Sequence, residues 1–366
     1  MLSFSVGRIE IEIQSLSSAL DEAFVQLYSS RLGSAVLHQS VFDDAASAFL
    51  KSTPDPGKHD QYFSNFTPLW NLHLRAGNFR DAAAVWPWAL RPVENLEAQG
   101  SSRIHKGSAY YFWGMTALLA DDLDRGYLLM HRGLEEDVLT HGVFDPKTPG
   151  FALAILDNEK PDQAFRPWVQ HQAAAVISRI ERYCTCYART FDLAGLRSRL
   201  LALPELRDAA FLYSYAMARA ARLLAIPEQL WSGPFPAQLA FNIIFDLCLV
   251  VDSAIHYKNP GADQFIMHAT LVAQKAGLGL LQDDLGKYNG LFMSDFKAAL
   301  HGALAETLSL PGKTAATGLA AALLVTYACR NRGAHNVTFV HLDPAQFDAL
   351  VDRLTATLCL VAEVLY

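Results

Sequence analysis

Residues 315–336 decide the fold, and they read AATGLAAALLVTYACRNRGAHN. From Ala315 to Cys329 the run is apolar except for threonine and glycine, and it is shorter than the roughly 20 residues that span a bilayer. It therefore predicts a buried helix of a folded domain. Directly after this run come the hydrogen-bonding side chains Arg330, Asn331, Arg332, His335 and Asn336. A buried helix that ends in so many polar groups indicates a candidate functional site.

The rest of the chain has the composition of a folded, mostly helical protein. Of its 366 residues, 51% are hydrophobic and 18% are charged, which excludes a disordered or fibrous chain. From Ser15 onward, apolar residues recur at three- and four-residue spacing between Pro, Gly, Asp and Asn breaks, which predicts an all-α body. The predicted helices cover 16–30, 35–51, 62–76, 79–90, 106–120, 123–138, 163–189, 206–225, 237–257, 262–278, 291–309, 314–333 and 344–366.

The charge and the cysteines limit the function and the compartment. The formal net charge is −7, so no broad positive field attracts polyanions, and any nucleic-acid contact is expected to be local. Five cysteines are an odd number, and three of them lie inside apolar helical runs, which favours free thiols. The first residues lack the pattern of a secretory signal. We therefore expect a cytoplasmic protein that does not bind membranes.

The first fourteen residues differ from the helical body. Leu2, Phe4 and Val6 alternate with serine, and three isoleucines then alternate with Glu and Gln after Gly7-Arg8. This pattern predicts a β-hairpin with a type II′ turn and all six apolar side chains on one face. A cluster of Pro and Gly at 227–236 predicts the main domain boundary. The expected domains are a hairpin (1–14), a helical domain (15–230) and a helical bundle (231–366).

Two stretches within residues 62–138 resemble tetratricopeptide (TPR) repeats. In the first, small residues at 82 and 89 combine with Phe79, Trp86 and a closing Pro92. In the second, the corresponding small positions are glycines at 114, 126 and 133, which predicts close contact between paired helices. The two units are offset by 44 residues rather than 34, so we expect an insertion near 93–103. An irregular helical domain is the alternative.

The polar end of the 315–336 stretch resembles the signature of HEPN domains. Arg330 and His335 form an Arg-x4-His pair with Asn331 directly after the arginine, and the predicted helices from 237 to 366 match a HEPN bundle. HEPN domains are helical bundles of prokaryotic ribonucleases and nucleotide-modifying defence proteins. The resemblance implies metal-independent cleavage of single-stranded RNA by a homodimer, with no cofactor. A second Arg-x4-His pair, Arg166 and His171, lacks the asparagine and lies near a helix start.

The implied roles suit the side chains. His335 can take or give the proton, because imidazole titrates near neutral pH. Arg330 would bind phosphate oxygens, while Asn331 would orient the scissile group or hold Arg330. Arg332 and Asn336 are the expected substrate-binding residues. Two copies of the chain would bring two histidines into one cleft, and the products would end in a 2′,3′-cyclic phosphate.

An acidic residue on the helix predicted at 237–257 is the candidate for orienting Arg330. Asp252 is preferred to Asp246 because it lies closer to the polar end of that helix. Two simpler interpretations stay open. The aspartate can lie on a solvated stripe, and the basic residues after Cys329 can complement the helix dipole with Gly333 as a left-handed cap.

The sequence therefore predicts an endoribonuclease of a bacterial antiviral-defence or toxin–antitoxin system. The expected partners are single-stranded RNA, a second copy of the chain, and a protein or antitoxin bound by the TPR-like domain. DNA and metal ions are not expected to bind. The alternatives are a non-catalytic adaptor that binds a nucleotide or acidic protein through Arg330 and Arg332, and a purely structural repeat scaffold.

Overall fold

A computed structural model describes residues 1–30, 38–143, 145–157, 165–232, 234–261, 264–288, 301, 307–309, 313, 315–335 and 342–366, with only the backbone for 333–335. The described chain is helical apart from two short antiparallel strand pairs, which confirms the all-α prediction. Its contacts form two units, residues 1–151 and 152–366. The boundary expected near residue 230 falls inside the second unit.

The first unit begins with two strands and continues as helices. Its elements are β1 (Leu2–Val6), β2 (Ile9–Ile13), α1 (Ser18–Ser29), α2 (Gln39–Ser52), α3 (Pro56–Ser64), α4 (Thr67–Arg75), α5 (Phe79–Ala98), α6 (Gly107–Leu119) and α7 (Leu123–His141). Helix α8 (Pro149–Ala154) crosses the division between the units. The second unit contains α9 (Arg166–Tyr187), α10 (Leu193–Leu196), α11 (Arg207–Leu224), α12 (Pro234–Lys258), α13 (Phe265–Lys275), α14 (Gln282–Gly286), β3 (Thr307–Leu308), β4 (Ala316–Thr317), α15 (Gly318–His335) and α16 (Pro344–Leu365).

The N-terminal hairpin has the predicted register. Strand β1 pairs with β2 so that Leu2 faces Ile13 and Phe4 faces Ile11. Gly7 opens the turn at a φ of +64°, a conformation that glycine adopts without strain. Ile11 and Ile13 are buried, and the Phe4 ring meets Tyr28 of α1 edge-on at 5.2 Å. The hairpin is therefore stabilised by packing its apolar face on the helices of the first unit.

Helices α6 and α7 approach closely at the predicted glycines. A Cβ atom on Gly126 would lie 2.4 Å from Cγ of Leu118, and one on Gly133 would lie 2.5 Å from Cε1 of Tyr111. A Cβ on Gly114 would lie 3.1 Å from the backbone oxygen of Gly126. These separations leave no room for side chains, so the glycines allow the two helices to pack backbone against backbone.

Helix α5 is longer than predicted and does not end at Pro92. It continues to Ala98 with Pro87 and Pro92 inside it, so the expected insertion begins within a helix. Each interior proline removes one backbone hydrogen bond. Val93 and Leu96 are nevertheless buried, and this packing holds the helix past the prolines. Tertiary burial outweighs the local cost of proline here.

The core of the second unit consists of long apolar helices. Helix α12 contacts α11, α15 and α16, and α15 is buried over most of its length. By length and composition α12 could cross a membrane, and half of its most apolar window is buried inside the protein. Helix α15 runs through Gly333 to His335, so Gly333 does not cap it as the simpler interpretation required. Asp343 and Gln346 form a capping box at the start of α16.

The other sequence-based details have mixed outcomes. The predicted helix at 291–309 lies mostly outside the described residues, and Thr307–Leu308 at its end form strand β3 instead. One helix was expected at 62–76, but Asp55 and Pro56 start α3 earlier and a turn at Asn65 separates it from α4. All five cysteines are free thiols.

Candidate functional site

Helices α12, α13 and α15 of the second unit contact one another and border an open cleft of about 490 Å³. The buried faces of these helices place a few polar side chains at its wall. Asp252 lies on α12, His268 lies on α13, and Arg330 lies near the end of α15. The cleft is lined by Glu205, Leu206, Asp208, Ala209, Asp252, Ser253, His256, Tyr257, Phe265, His268 and Arg330.

Asp252 binds Arg330 across the interface of α12 and α15. Nε and Nη2 of Arg330 both donate to Oδ2 of Asp252, at 3.2 and 3.0 Å. The two side chains retain 17% and 26% of their exposure, so the pair is half-buried rather than solvated. Charge-assisted hydrogen bonds of this kind fix the plane of the guanidinium group. The structure therefore brings together the arginine of the sequence motif and the aspartate preferred for orienting it.

His268 binds the other oxygen of the same carboxylate. Its Nδ1 lies 2.7 Å from Oδ1 of Asp252, and its side chain is only 3% exposed. Because an ionised carboxylate only accepts hydrogen bonds, Nδ1 carries the proton and donates. Nε2 has no hydrogen-bond partner among the residues that the structure describes. His268 and Arg330 thus share the two oxygens of Asp252.

The guanidinium group of Arg330 is also held by an aromatic ring. Its central carbon lies 5.4 Å from the centre of the Phe265 ring, within the range of a cation–π contact. Phe265 in turn stacks on Tyr327 of α15 at 6.0 Å. Within the described part of the chain, Nη1 of Arg330 makes no hydrogen bond. Arg330 is therefore positioned on two sides and keeps donor capacity at the cleft.

The charge of the cleft is negative. Glu205, Asp208 and Asp252 contribute three carboxylates, whereas Arg330 is the one permanent cation among the described residues that line it. Asp252 pairs with Arg330, and Asp208 pairs with Arg207 at 3.2 Å, so the net negative charge at the opening is small. Burial raises the pKa of the Tyr257 hydroxyl, and the neighbouring Glu205 raises this pKa further. Tyr257 therefore stays a neutral hydroxyl beside the carboxylates.

The two residues after Arg330 lie elsewhere on α15. Successive helical residues are about 100° apart, so Asn331 and Arg332 turn away from the face that carries Arg330. Neither of them lines the cleft as described. Asn331 hydrogen-bonds with the hydroxyl of Tyr327 one turn earlier, which partly offsets the rise in the Tyr327 pKa caused by burial. Arg332 is half-buried.

The remaining two motif residues, His335 and Asn336, lie where a described segment of the chain ends. The backbone of His335 forms the end of α15, and its side chain lies outside the described residues. Asn336 lies outside them altogether. The distance between Arg330 and the His335 imidazole therefore stays a prediction.

The alternatives to Asp252 and to the pair at 330 and 335 lie in other surroundings. Asp246 lies on the same helix as Asp252 but pairs with Arg219 of α11 at 2.8 Å, and burial raises its pKa against the effect of that arginine. Arg166 begins α9 with Pro167 directly after it. The motif-like pair at 166 and 171 thus lies at a helix start, unlike the pair at 330 and 335.

No family model matches this chain, and no curated protein and no solved structure matches it significantly. Among the described residues, no group of three or more His, Cys, Asp or Glu side chains could hold a metal ion.

Sequence reasoning missed His268. It is buried and hydrogen-bonded. A signal was available, because Phe265, Ala269 and Val272 form the apolar stripe of α13 and His268 falls within it. A histidine on a buried stripe needs a hydrogen-bond partner, and the structure supplies Asp252.

Proposed function

We propose that the protein is a metal-independent endoribonuclease that cuts single-stranded RNA in a site shared by two copies of the chain. The main support is the shared carboxylate of Asp252, which holds Arg330 on one oxygen and His268 on the other at the wall of an open cleft. An arginine fixed in this way is suited to bind a phosphate group as negative charge builds on it.

The proposed reaction uses one proton acceptor and one proton donor. His335 of one copy removes the proton from a ribose 2′-hydroxyl, and the 2′-oxygen attacks the adjacent phosphorus. The bond to the 5′-oxygen breaks, and His335 of the second copy supplies the proton to that oxygen. Arg330 binds the phosphate oxygens. The products are a 2′,3′-cyclic phosphate and a 5′-hydroxyl.

The other motif residues support these steps. Asp252 orients Arg330, and Asn331 stabilises the end of α15 through its contact with Tyr327. Arg332 and Asn336 bind flanking parts of the RNA. The two-fold arrangement follows from the need for two proton carriers where each chain has one His335.

The proposal also includes the domain type of each unit. The second unit supplies a HEPN-like bundle, and the helical hairpins α4–α5 and α6–α7 of the first unit form a TPR-like domain that binds a protein partner or antitoxin. Each hairpin turns within three residues, at Gly77 and at Asp121, which both have positive φ values. Free thiols suit a reducing cytoplasm. Such a protein fits a defence or toxin system.

Cleavage of end-labelled RNA in excess chelator tests this proposal. Wild-type protein should cut the RNA, and Arg330→Ala and His335→Ala should each abolish the cut. Arg166→Ala is the matched control, because it removes an arginine from the motif-like pair at the start of α9. Intact RNA with the wild-type protein would reject the proposal, and cleavage by His335→Ala would reject the assigned proton carrier.

Mixing subunits tests the shared site. An equal mixture of wild-type protein and the double variant Arg330→Ala/His335→Ala, allowed to exchange subunits, should fall to about a quarter of wild-type activity if both copies contribute. A decrease to about half would show that each chain works alone.

A non-catalytic adaptor is the second candidate. It is favoured by the net negative charge of the cleft lining, because this charge opposes a strand with many phosphates more than a ligand that places a single anionic group on Arg330. In this function Arg330 and Arg332 bind a nucleotide or an acidic protein partner without cleavage. RNA left intact by wild-type protein, together with partner binding that is lost in Arg330→Ala, would support it.

A further inference from the structure

Strand β2 is an open edge of the N-terminal hairpin. The hairpin loop has two residues, so Val6 and Ile9 form a hydrogen-bonded pair and the ladder bonds recur at every second residue of β2. The backbone N–H and C=O groups of Glu10 and Glu12 therefore point away from β1. They have no hydrogen-bond partner within the part of the chain that the structure describes.

An amide group already pairs with this edge at the next residue in the series. The backbone N–H of Gln14 donates to Oδ1 of Asn65 at 2.8 Å, and Nδ2 of Asn65 donates to the backbone oxygen of Gln14 at 2.9 Å. Gln14 follows Glu10 and Glu12 at the same two-residue spacing. The buried side chain of Asn65 thus makes the two bonds that a neighbouring strand would make, and Glu10 and Glu12 offer the same groups unpaired.

An open groove of about 810 Å³ lies beside the unpaired part of the edge. Strand β2 forms one side of it, where Ile9 is 47% exposed, and the half-buried Pro68 and Leu72 of α4 form the other. Arg75, the one permanent cation among the described lining residues, lies on α4 across the groove from the strand. The groove therefore suits an extended segment whose backbone bonds to β2 and whose alternate side chains pack against α4.

The charge of the strand determines which segment fits. Glu10 and Glu12 are exposed on the face opposite the buried Ile11 and Ile13. Residues directly opposite each other share a face of a sheet, so an added strand should carry basic residues opposite the glutamates and apolar residues between them. A second copy that paired through β2 in antiparallel fashion would place glutamate against glutamate, and this repulsion disfavours it.

We propose that the edge of β2 binds an extended segment of a protein partner, in which basic residues alternate with apolar ones, by adding a strand to the hairpin. The inference rests on the proposed function only for the expectation that the first unit binds a protein. It uses none of the residues that line the cleft of the second unit. RNA cleavage is therefore not needed for it.

Binding of labelled peptides about seven residues long, followed by fluorescence anisotropy at physiological salt, tests the charge preference. Wild-type protein should bind a peptide of alternating lysine and valine about tenfold more tightly than one of alternating glutamate and valine. Glu10→Gln/Glu12→Gln should remove most of this difference. Glu22→Gln/Asp44→Asn makes the same charge change at exposed positions of the first unit that do not line the groove, and it should retain the difference.

A proline at the edge tests the strand pairing. Glu12→Pro removes an outward N–H without breaking a ladder bond, and it should weaken binding of the lysine–valine peptide about tenfold. Ser3→Pro is the matched control, because Ser3 lies directly opposite Glu12 and its N–H points to the other edge of the hairpin. The control should bind the peptide as wild type does, and the melting temperatures of the two variants should agree.

Several results would overturn the inference. These are no binding by wild type, equal binding of the lysine and glutamate peptides, or equal losses in Glu12→Pro and Ser3→Pro. A homodimer that dissociates in Glu12→Pro without any peptide would assign the edge to a second copy instead. Cleavage of RNA without peptide binding would keep the nuclease proposal and reject the strand site, whereas peptide binding with intact RNA would do the reverse.

Discussion

Arg330 donates from two nitrogens to a single carboxylate oxygen of Asp252, across a sequence separation of 78 residues. The contact joins α15 to α12 at the edge of the cleft. It leaves the other oxygen of Asp252 for His268. One carboxylate therefore determines the position of two side chains from two different helices, and most of the expected behaviour of the site follows from it.

Replacing Asp252 by asparagine should reduce RNA cleavage about 100-fold, because the amide offers one oxygen to two donors and Arg330 is displaced. Asp246→Asn is the matched control, since Asp246 lies on the same helix and pairs with Arg219 at a similar distance. The control should retain wild-type cleavage. Equal losses in both variants, measured as single-turnover rates at equal melting temperature, would show that α12 is merely structural.

The two aspartates also show what the sequence could and could not predict. Their separation of six residues places them about 240° apart around α12, so only one of them can face α15. The polar end of the helix favoured Asp252, and the structure pairs it with Arg330. His268 was missed because its contact depends on how α13 packs against α12, which spacing along one helix does not reveal.

Substitution of His268 should act through Asp252 rather than through substrate binding. His268→Ala removes the Nδ1–H donor and should lower the cleavage rate about tenfold, with little change in KM. His268→Asn places an amide N–H close to the position of Nδ1 and should restore most of the rate. The NMR signal of the Arg330 Nε–H group should shift in the alanine variant and return in the asparagine variant. A rate unchanged in both variants would remove His268 from the site.

Stability of the first unit should depend on the absence of a side chain at Gly126. Gly126→Ala places a Cβ 2.4 Å from Leu118 and should lower the free energy of unfolding by about 1–3 kcal/mol. Gly57→Ala meets only the Asp55 carboxylate at 3.4 Å, an ordinary contact, and should be neutral or slightly stabilising. Thermal and denaturant unfolding give both values. A neutral Gly126→Ala would contradict the close approach of α6 and α7.

The hairpin register predicts different costs for two isoleucines of one strand. Ile13 is 2% exposed, so Ile13→Ala should cost about 2–5 kcal/mol of unfolding free energy. Ile9 is 47% exposed at the turn, and Ile9→Ala should cost about 0.5 kcal/mol or less. Equal costs would indicate that the hairpin does not pack on the helices as described.

Other parts of the fold show where local sequence patterns are sufficient. The hairpin register follows from strict alternation and one glycine, and the close contact of α6 and α7 follows from three spaced glycines. The sequence predicts the end of α5 too early, because a proline such as Pro92 usually ends a helix. Burial of Val93 and Leu96 depends on contacts with neighbouring helices, and a local sequence pattern does not predict such contacts.

The most direct test of the account compares two substrates that differ in one oxygen atom. Wild-type protein in excess chelator receives a labelled single-stranded RNA, or the same strand with a 2′-deoxyribose at the cleaved position. The account predicts that the first is cut to a 2′,3′-cyclic phosphate and that the second stays intact at that position, because the attacking hydroxyl is missing. Cleavage of both strands at the same bond, or of neither, would contradict it.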